Sequence, residues 1–129
     1  MTVRELVTKV DLMPDPHGDG LSFSACFVAR AADGREVVVF DDRGWTASLG
    51  AADADPWALM DAAVIEATAR DVVGPDEDDE DAAERHWRWV AEILTEHGIA
   101  AEATHLERLP HEVVLSDRLV ARLTREQHR

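Results

Sequence analysis

Through the first third of the chain, hydrophobic and polar residues alternate with a period of two; through most of the remainder the period is near 3.6. Val3 to Leu12 is rich in β-forming residues and runs into a dense cluster of turn formers, Met13-Pro14-Asp15-Pro16-His17-Gly18-Asp19-Gly20. From Leu21 to Ala32, Phe23, Ala25, Phe27 and Ala29 fall on one side of the chain. Ser22, Ser24, Cys26, Val28 and Arg30 fall on the other, which predicts a half-buried strand. Asp33-Gly34 is a hairpin signal, and Val37 to Phe40 predicts the next strand. Asp41-Asp42-Arg43-Gly44 then predicts a second turn, with Trp45 to Leu49 a short fourth strand. This portion reads as a three- or four-stranded antiparallel meander.

Helical punctuation follows. Asp55 suits an N-cap, Pro56 a first helical position, and Gly74-Pro75 a stop. At 100° per residue, Trp57, Met60, Val64, Ile65 and Val72 share one arc, flanked by Ala62, Ala63, Ala67 and Ala69. A second helix is predicted from about Asp79 to His97, ending at Gly98. Ala83, Trp87, Val90, Ala91 and Leu94 form its apolar arc, with Ile93 and His86 at the margin and Trp89 just beyond it. Glu84, Arg88, Glu92 and Thr95 take the opposite face. Ile99 to Leu109 is expected to be a strand broken by Pro110, with a short strand at Val113-Val114-Leu115. Ser116 is placed to cap a last helix through Arg125.

The expected fold is therefore a single α+β domain over residues 1–129. Its antiparallel sheet has four to six strands, the N-terminal meander plus one or two later ones. Two main helices lie on one face, with a short C-terminal helix. At this length about two-thirds of the unfolded surface is buried, enough for a core without disulfides or a structural metal.

Charge changes the picture most. The chain carries −14 on 129 residues, beyond the magnitude of about 2–8 that keeps a small domain dispersed. Lys9 is the only lysine, and abundant Ala, Asp, Val and Arg match a GC-rich bacterial genome, which accounts for part of the acidity. Whatever its origin, such a field repels nucleic-acid phosphates and anionic lipid and attracts basic surfaces. A single cysteine, Cys26, points to a reducing compartment, and no basic flank joined to an apolar run suggests a signal peptide. No apolar run approaches the ~20 residues of a membrane span. A cytoplasmic location is expected, with neither nucleic acid nor membrane as a partner.

Motifs for chemistry fail one by one. Asp15, His17, Asp19 and Gly20 fit the opening of a calcium loop, but Cys26 stands where its bidentate glutamate belongs. His111-Glu112-Val113-Val114-Leu115 lacks the second histidine of a zinc-protease helix. No phosphate loop or nucleophile elbow is present. Neither a metal nor a cofactor is implied.

Three features remain as candidate contact sites. The run Asp76-Glu77-Asp78-Asp79-Glu80-Asp81 opens the second helix, where carboxylates oppose the positive end of the helix dipole and can also face a basic partner. Trp45, after an acidic turn, and Trp89, off its helix's main face, are candidate interface anchors. Arg118, Arg122, Arg125 and Arg129 form a stripe at i, i+4, i+7 and i+11, a solvated helix face or a surface that meets the acidic run, within the chain or across a homodimer. The expected function is a non-catalytic, acidic protein-interaction domain, with an inhibitor, immunity-like or nucleic-acid-mimic surface for a basic protein. Two alternatives stand beside it. One is a small enzyme or ligand-binding domain with a cleft between helices and sheet, and the other is a structural homodimer subunit.

Overall fold

The computed structural model describes residues 2–13, 21–47, 61–75 and 80–127. Three long strands come first, β1 (Val3–Met13), β2 (Leu21–Ala31) and β3 (Glu36–Ala47). They are followed by helices α1 (Ala62–Val73), α2 (Glu80–Glu96) and α3 (Ala103–Arg108). Strand β4 (His111–Leu115) and helix α4 (Asp117–Gln127) close the order. The four strands form one sheet in the order β3-β2-β1-β4. β1–β2 and β2–β3 are antiparallel, as alternation predicts, whereas β4 joins β1 in parallel. A parallel neighbour requires a crossover, which α1, α2 and α3 supply between β3 and β4. The result is an α+β fold with a mostly antiparallel sheet and one parallel pair.

The register sorts the sheet into two faces. On the inner face lie Leu6, Thr8 and Val10 of β1, Phe23, Ala25, Phe27 and Ala29 of β2, and His111 and Val113 of β4. Buried residues of α1 (Ile65, Ala69, Val73), α2 (Val90, Ala91, Leu94), α3 (Leu106) and α4 (Leu119, Leu123) join these positions in two core clusters. Half-buried Trp45 contacts both clusters and stacks on Phe23, ring centroids 4.9 Å apart. The outer face carries Glu5, Val7, Lys9, Asp11 and Met13 of β1, with Ser24, Cys26, Val28 and Arg30 of β2 beside them. Val38 of β3 and Glu112 and Val114 of β4 complete it.

Four expectations are corrected. Asp41-Asp42-Arg43-Gly44 is not a turn, because β3 runs through it as one strand. Phe27 pairs with Phe40 but Val28 with Val38, and Ala25 pairs with Arg43, so β3 bulges twice over this stretch. The first bulge sets Val39 and Phe40 both toward the core, and the second restores the phase for Arg43 and Trp45. Gly44 serves close packing rather than a turn, since a Cβ there would lie 3.3 Å from the carbonyl carbon of Phe23 and closer still to its oxygen. The helix containing Ile65 begins at Ala62, with Asp61 as its N-cap in an extended backbone, rather than at Pro56. The Asp61 carboxylate accepts from the Val64 N–H at 2.8 Å, an N-cap, and Val64 is exposed while Ile65, Ala69 and Val73 carry the burial. Asp55, Pro56, Trp57 and Met60 lie outside the described residues. Finally, the predicted strand at 99–109 is instead an isolated bridge at Ala100, paired with Thr2, followed by α3. α3 turns only six residues around Leu106, too few for a helical period to show.

α2 follows its expected bounds closely and stops at Gly98, whose φ of 81° is the left-handed conformation that ends helices. His86 is buried in the α2 interface rather than at its margin. Among the described residues no helix is long and apolar enough to cross a membrane.

Candidate functional site

α2 positions most of the candidate contact residues. Glu80 and Asp81, the last two acids of the run, occupy its first turn and are exposed there, where they oppose the helix dipole. Asp76, Glu77, Asp78 and Asp79 lie outside the described residues. Trp89 is 41 % exposed, yet one face of its ring stacks on Phe40 of β3, centroids 5.4 Å apart and planes 13° from parallel. The Arg43 guanidinium lies 4.4 Å from the Phe40 ring centroid and 5.6 Å from that of Trp89. Arg43 also donates to the carbonyls of Val72 (3.0 Å) and Gly74 (3.3 Å), satisfying the C-terminal end of α1. Trp89 is therefore packed on Phe40, beside the His86 ring and Arg43, while a large part of it stays exposed.

Past Trp89, α2 and the chain entering α3 enclose an open groove of about 570 Å³. Ala91, Ala101 and Ala103 make its apolar floor, and Arg88, Glu92, Thr95, Glu96 and Glu102 stand around it. Arg88 is committed to Glu84, its i−4 neighbour. The Thr95 hydroxyl donates back to the Ala91 carbonyl at 2.9 Å. Glu102 sits at the α3 N-cap position, but its side chain makes no capping hydrogen bond. Among the described residues, nothing forms an ion pair with Glu92, Glu96 or Glu102. Four acids elsewhere are answered, Glu5 by Arg30, Glu36 by Arg30 and Lys9, Asp11 by Arg118 and Glu84 by Arg88. The groove is distinguished by bringing three unpaired carboxylates together around a floor of small side chains. Glu92 and Thr95 were legible as an exposed helix face, but the groove they border needs α3, which sequence reading placed as a strand.

The arginine stripe is divided by the fold. Arg118 forks onto Asp11, Nε to Oδ1 at 2.8 Å and one terminal nitrogen to Oδ2 at 3.0 Å, while the Ser116 hydroxyl donates to Oδ1 at 2.6 Å. These bonds, Arg118 foremost, hold the Asp11 carboxyl below the usual carboxylate range and tie the start of α4 to the end of β1. Arg122 is half-buried, Arg125 is exposed, and Arg129 lies outside the described residues.

Sequence reading missed one polar pair, because its members are 103 residues apart. Thr8, fully buried, shares a hydrogen bond with His111, Oγ1 to Nε2 at 2.6 Å, on the inner face. His111 also meets the edge of the Phe27 ring, and Arg70 reaches its carbonyl. Burial, and then the Arg70 charge, hold the His111 pKa below the ordinary histidine value of 6.5. The unfolded chain therefore binds a proton first as pH falls. Stability from the neutral pair is complete above about pH 6.5 and is lost as pH drops toward the lowered folded value. The melting temperature is expected to fall between about pH 7.5 and 5.5, and His111→Asn to make that fall smaller. An equal fall in the variant would assign the acid response to other groups.

Among the described residues no group of three or more His, Cys, Asp or Glu side chains is placed to hold a metal ion. No family profile, curated protein or solved structure matches this chain.

Proposed function

We propose that this chain is a non-catalytic, acidic interaction domain that docks a basic protein surface in the α2–α3 groove. One observation carries the reading: Glu92, Glu96 and Glu102 surround an alanine floor, and among the described residues no cation forms an ion pair with them. A carboxylate already in an ion pair must break that pair before it serves a partner, whereas these three need only lose water. Small side chains on the floor let an arginine or lysine stem lie against apolar surface while its head reaches the rim. Trp89, on the neighbouring flank of α2, adds a rigid aromatic anchor of the kind enriched at interface hot spots. The net charge of −14 supports the same reading by steering basic partners inward from a distance.

The test uses a fluorescent arginine-rich peptide and its anisotropy on titration. Replacing Glu92, Glu96 and Glu102 together by glutamine is expected to weaken binding at least about tenfold, roughly 1.4 kcal/mol across three carboxylates. A matched triple, Glu66→Gln, Asp71→Asn and Glu112→Gln, removes the same charge elsewhere and is expected to weaken it far less. Affinity is expected to fall between about 50 and about 500 mM salt. Equal losses from both triples would show attraction by net charge alone and overturn the groove.

A further inference from the structure

The helices bury their apolar residues against the inner face of the sheet, and the outer face has a composition of its own. Six large apolar side chains are prominently exposed among the described residues, and half of them, Met13 (44 %), Val38 (48 %) and Val114 (40 %), sit on this face. Between them, Val7 and Val28 are buried. The register shows what covers Val28. Lys9 stands opposite Cys26 on β1, whereas Glu36 stands opposite Arg30 on β3. For Lys9 Nζ to reach Glu36 Oε1 at 3.0 Å, its stem must cross β2 diagonally above Val28. Arg30 closes the lattice by bonding both Glu5 and Glu36.

That lattice matters for what can approach. Two cations and two carboxylates satisfy one another, so the middle of the face is neutral on a chain of net charge −14. Another chain of the same charge is repelled by the acidic helices. Over this sheet face it meets exposed valines and a cancelled charge; of the other carboxylates, Asp11 at the end of β1 is answered by Arg118, and Asp41 and Glu112 sit on the two outer strands. The size also fits. Strands of these lengths, at about 3.3 Å per residue and about 4.8 Å apart, span about 600 Å² of plane. Side-chain relief brings that near the ~800 Å² per partner of a standard stable interface.

We infer that a second copy of this chain docks on the outer sheet face, the two sheets stacking about 10 Å apart around a two-fold axis. The inference is independent of the groove, which belongs to α2 and α3. Light scattering on a sizing column, from about 10 µM to about 1 mM, is expected to show twice the chain mass of 14.3 kDa. Val38→Glu and Val114→Glu, each at a half-exposed position, are expected to give monomers with unchanged circular dichroism. Val120→Glu, equally exposed but on α4, is expected to stay dimeric. Cys26, the sole cysteine and central on this face, supplies a second readout. Its labelling by a maleimide is expected to slow as wild-type concentration rises, which holds even if a valine variant fails to fold. A wild-type monomer at about 1 mM, labelling independent of concentration, or a Val38→Glu dimer would each overturn the assignment. Peptide binding by the groove is expected to survive in Val38→Glu, so failure of one proposal does not imply failure of the other.

Discussion

Gly44→Ala is expected to destabilise the protein by about 3 kcal/mol, at the upper end of the overpacking range. The reason is the identity of the obstacle. The added methyl meets the Phe23 carbonyl and the Ser24 Cα, which are backbone atoms of the paired strand and have no rotamer into which to retreat. Relief requires β2 and β3 to separate where Trp45 stacks on Phe23, so the contact joining both core clusters loosens at the same time. For a domain of this size the melting temperature is expected to drop by roughly 10 °C, with a lower urea midpoint and little change in slope. Wild-type stability in the variant would mean that the strands do not approach so closely at this point.

Phe27→Ala is expected to cost about 3–5 kcal/mol, a large share of a typical total of about 5–15 kcal/mol. Phe27 is fully buried and its ring meets three aromatic neighbours from different elements. Phe40 of β3 stacks at 5.1 Å, Trp87 of α2 tilts across it at 6.4 Å, and His111 of β4 presents an edge-on contact at 5.6 Å. Removing the ring leaves a cavity shared by β3, α2 and β4, and no single neighbour can collapse to fill it. Trp87 emission is expected to shift to the red as water reaches the site. Phe27→Leu, which keeps most of the volume, is expected to lose much less. Equal losses from alanine and leucine would point to the aromatic contacts rather than to volume.

How far the chain could be read in advance follows from how local each signal is. Strand β1 was legible from its run of β-forming residues up to the turn cluster, and β2 from the alternation that puts Phe23, Ala25, Phe27 and Ala29 on one face. β3 was split in two by that same rule, since its bulges place Val39 and Phe40 on one side and leave Asp41-Asp42 looking like a turn. α2 was legible from its apolar arc and from Gly98; its errors were taking Ala83 rather than Ala82 for the buried alanine and treating His86 as a boundary residue. α3 escaped because only Leu106 anchors it, and the parallel placement of β4 escaped because no local pattern encodes a crossover. The candidate contacts divide in the same way. Trp89 stood out from its helical angle, and Arg118 from its spacing, but the partner of Arg118, Asp11, lies 107 residues away. The α2–α3 groove was out of reach until α3 took shape, and the Thr8–His111 pair until β4 lay beside β1.

The two bulges in β3 have a consequence for the life of the chain in a crowded solution. Val37-Val38-Val39-Phe40 is a short, uncharged, strongly β-forming run on a strand at the sheet edge, the kind of segment that recruits identical segments into fibrils. Fibril growth needs a flat strand in register with its copies, each about 4.8 Å from the next. The bulges bend β3 at Val39, within the run, and again just beyond Phe40. Asp41 and Asp42 would stack upon themselves in every added layer, with Glu36 doing the same at the other end. The irregularity that hides this strand from a reading by alternation also keeps it from seeding its own aggregation.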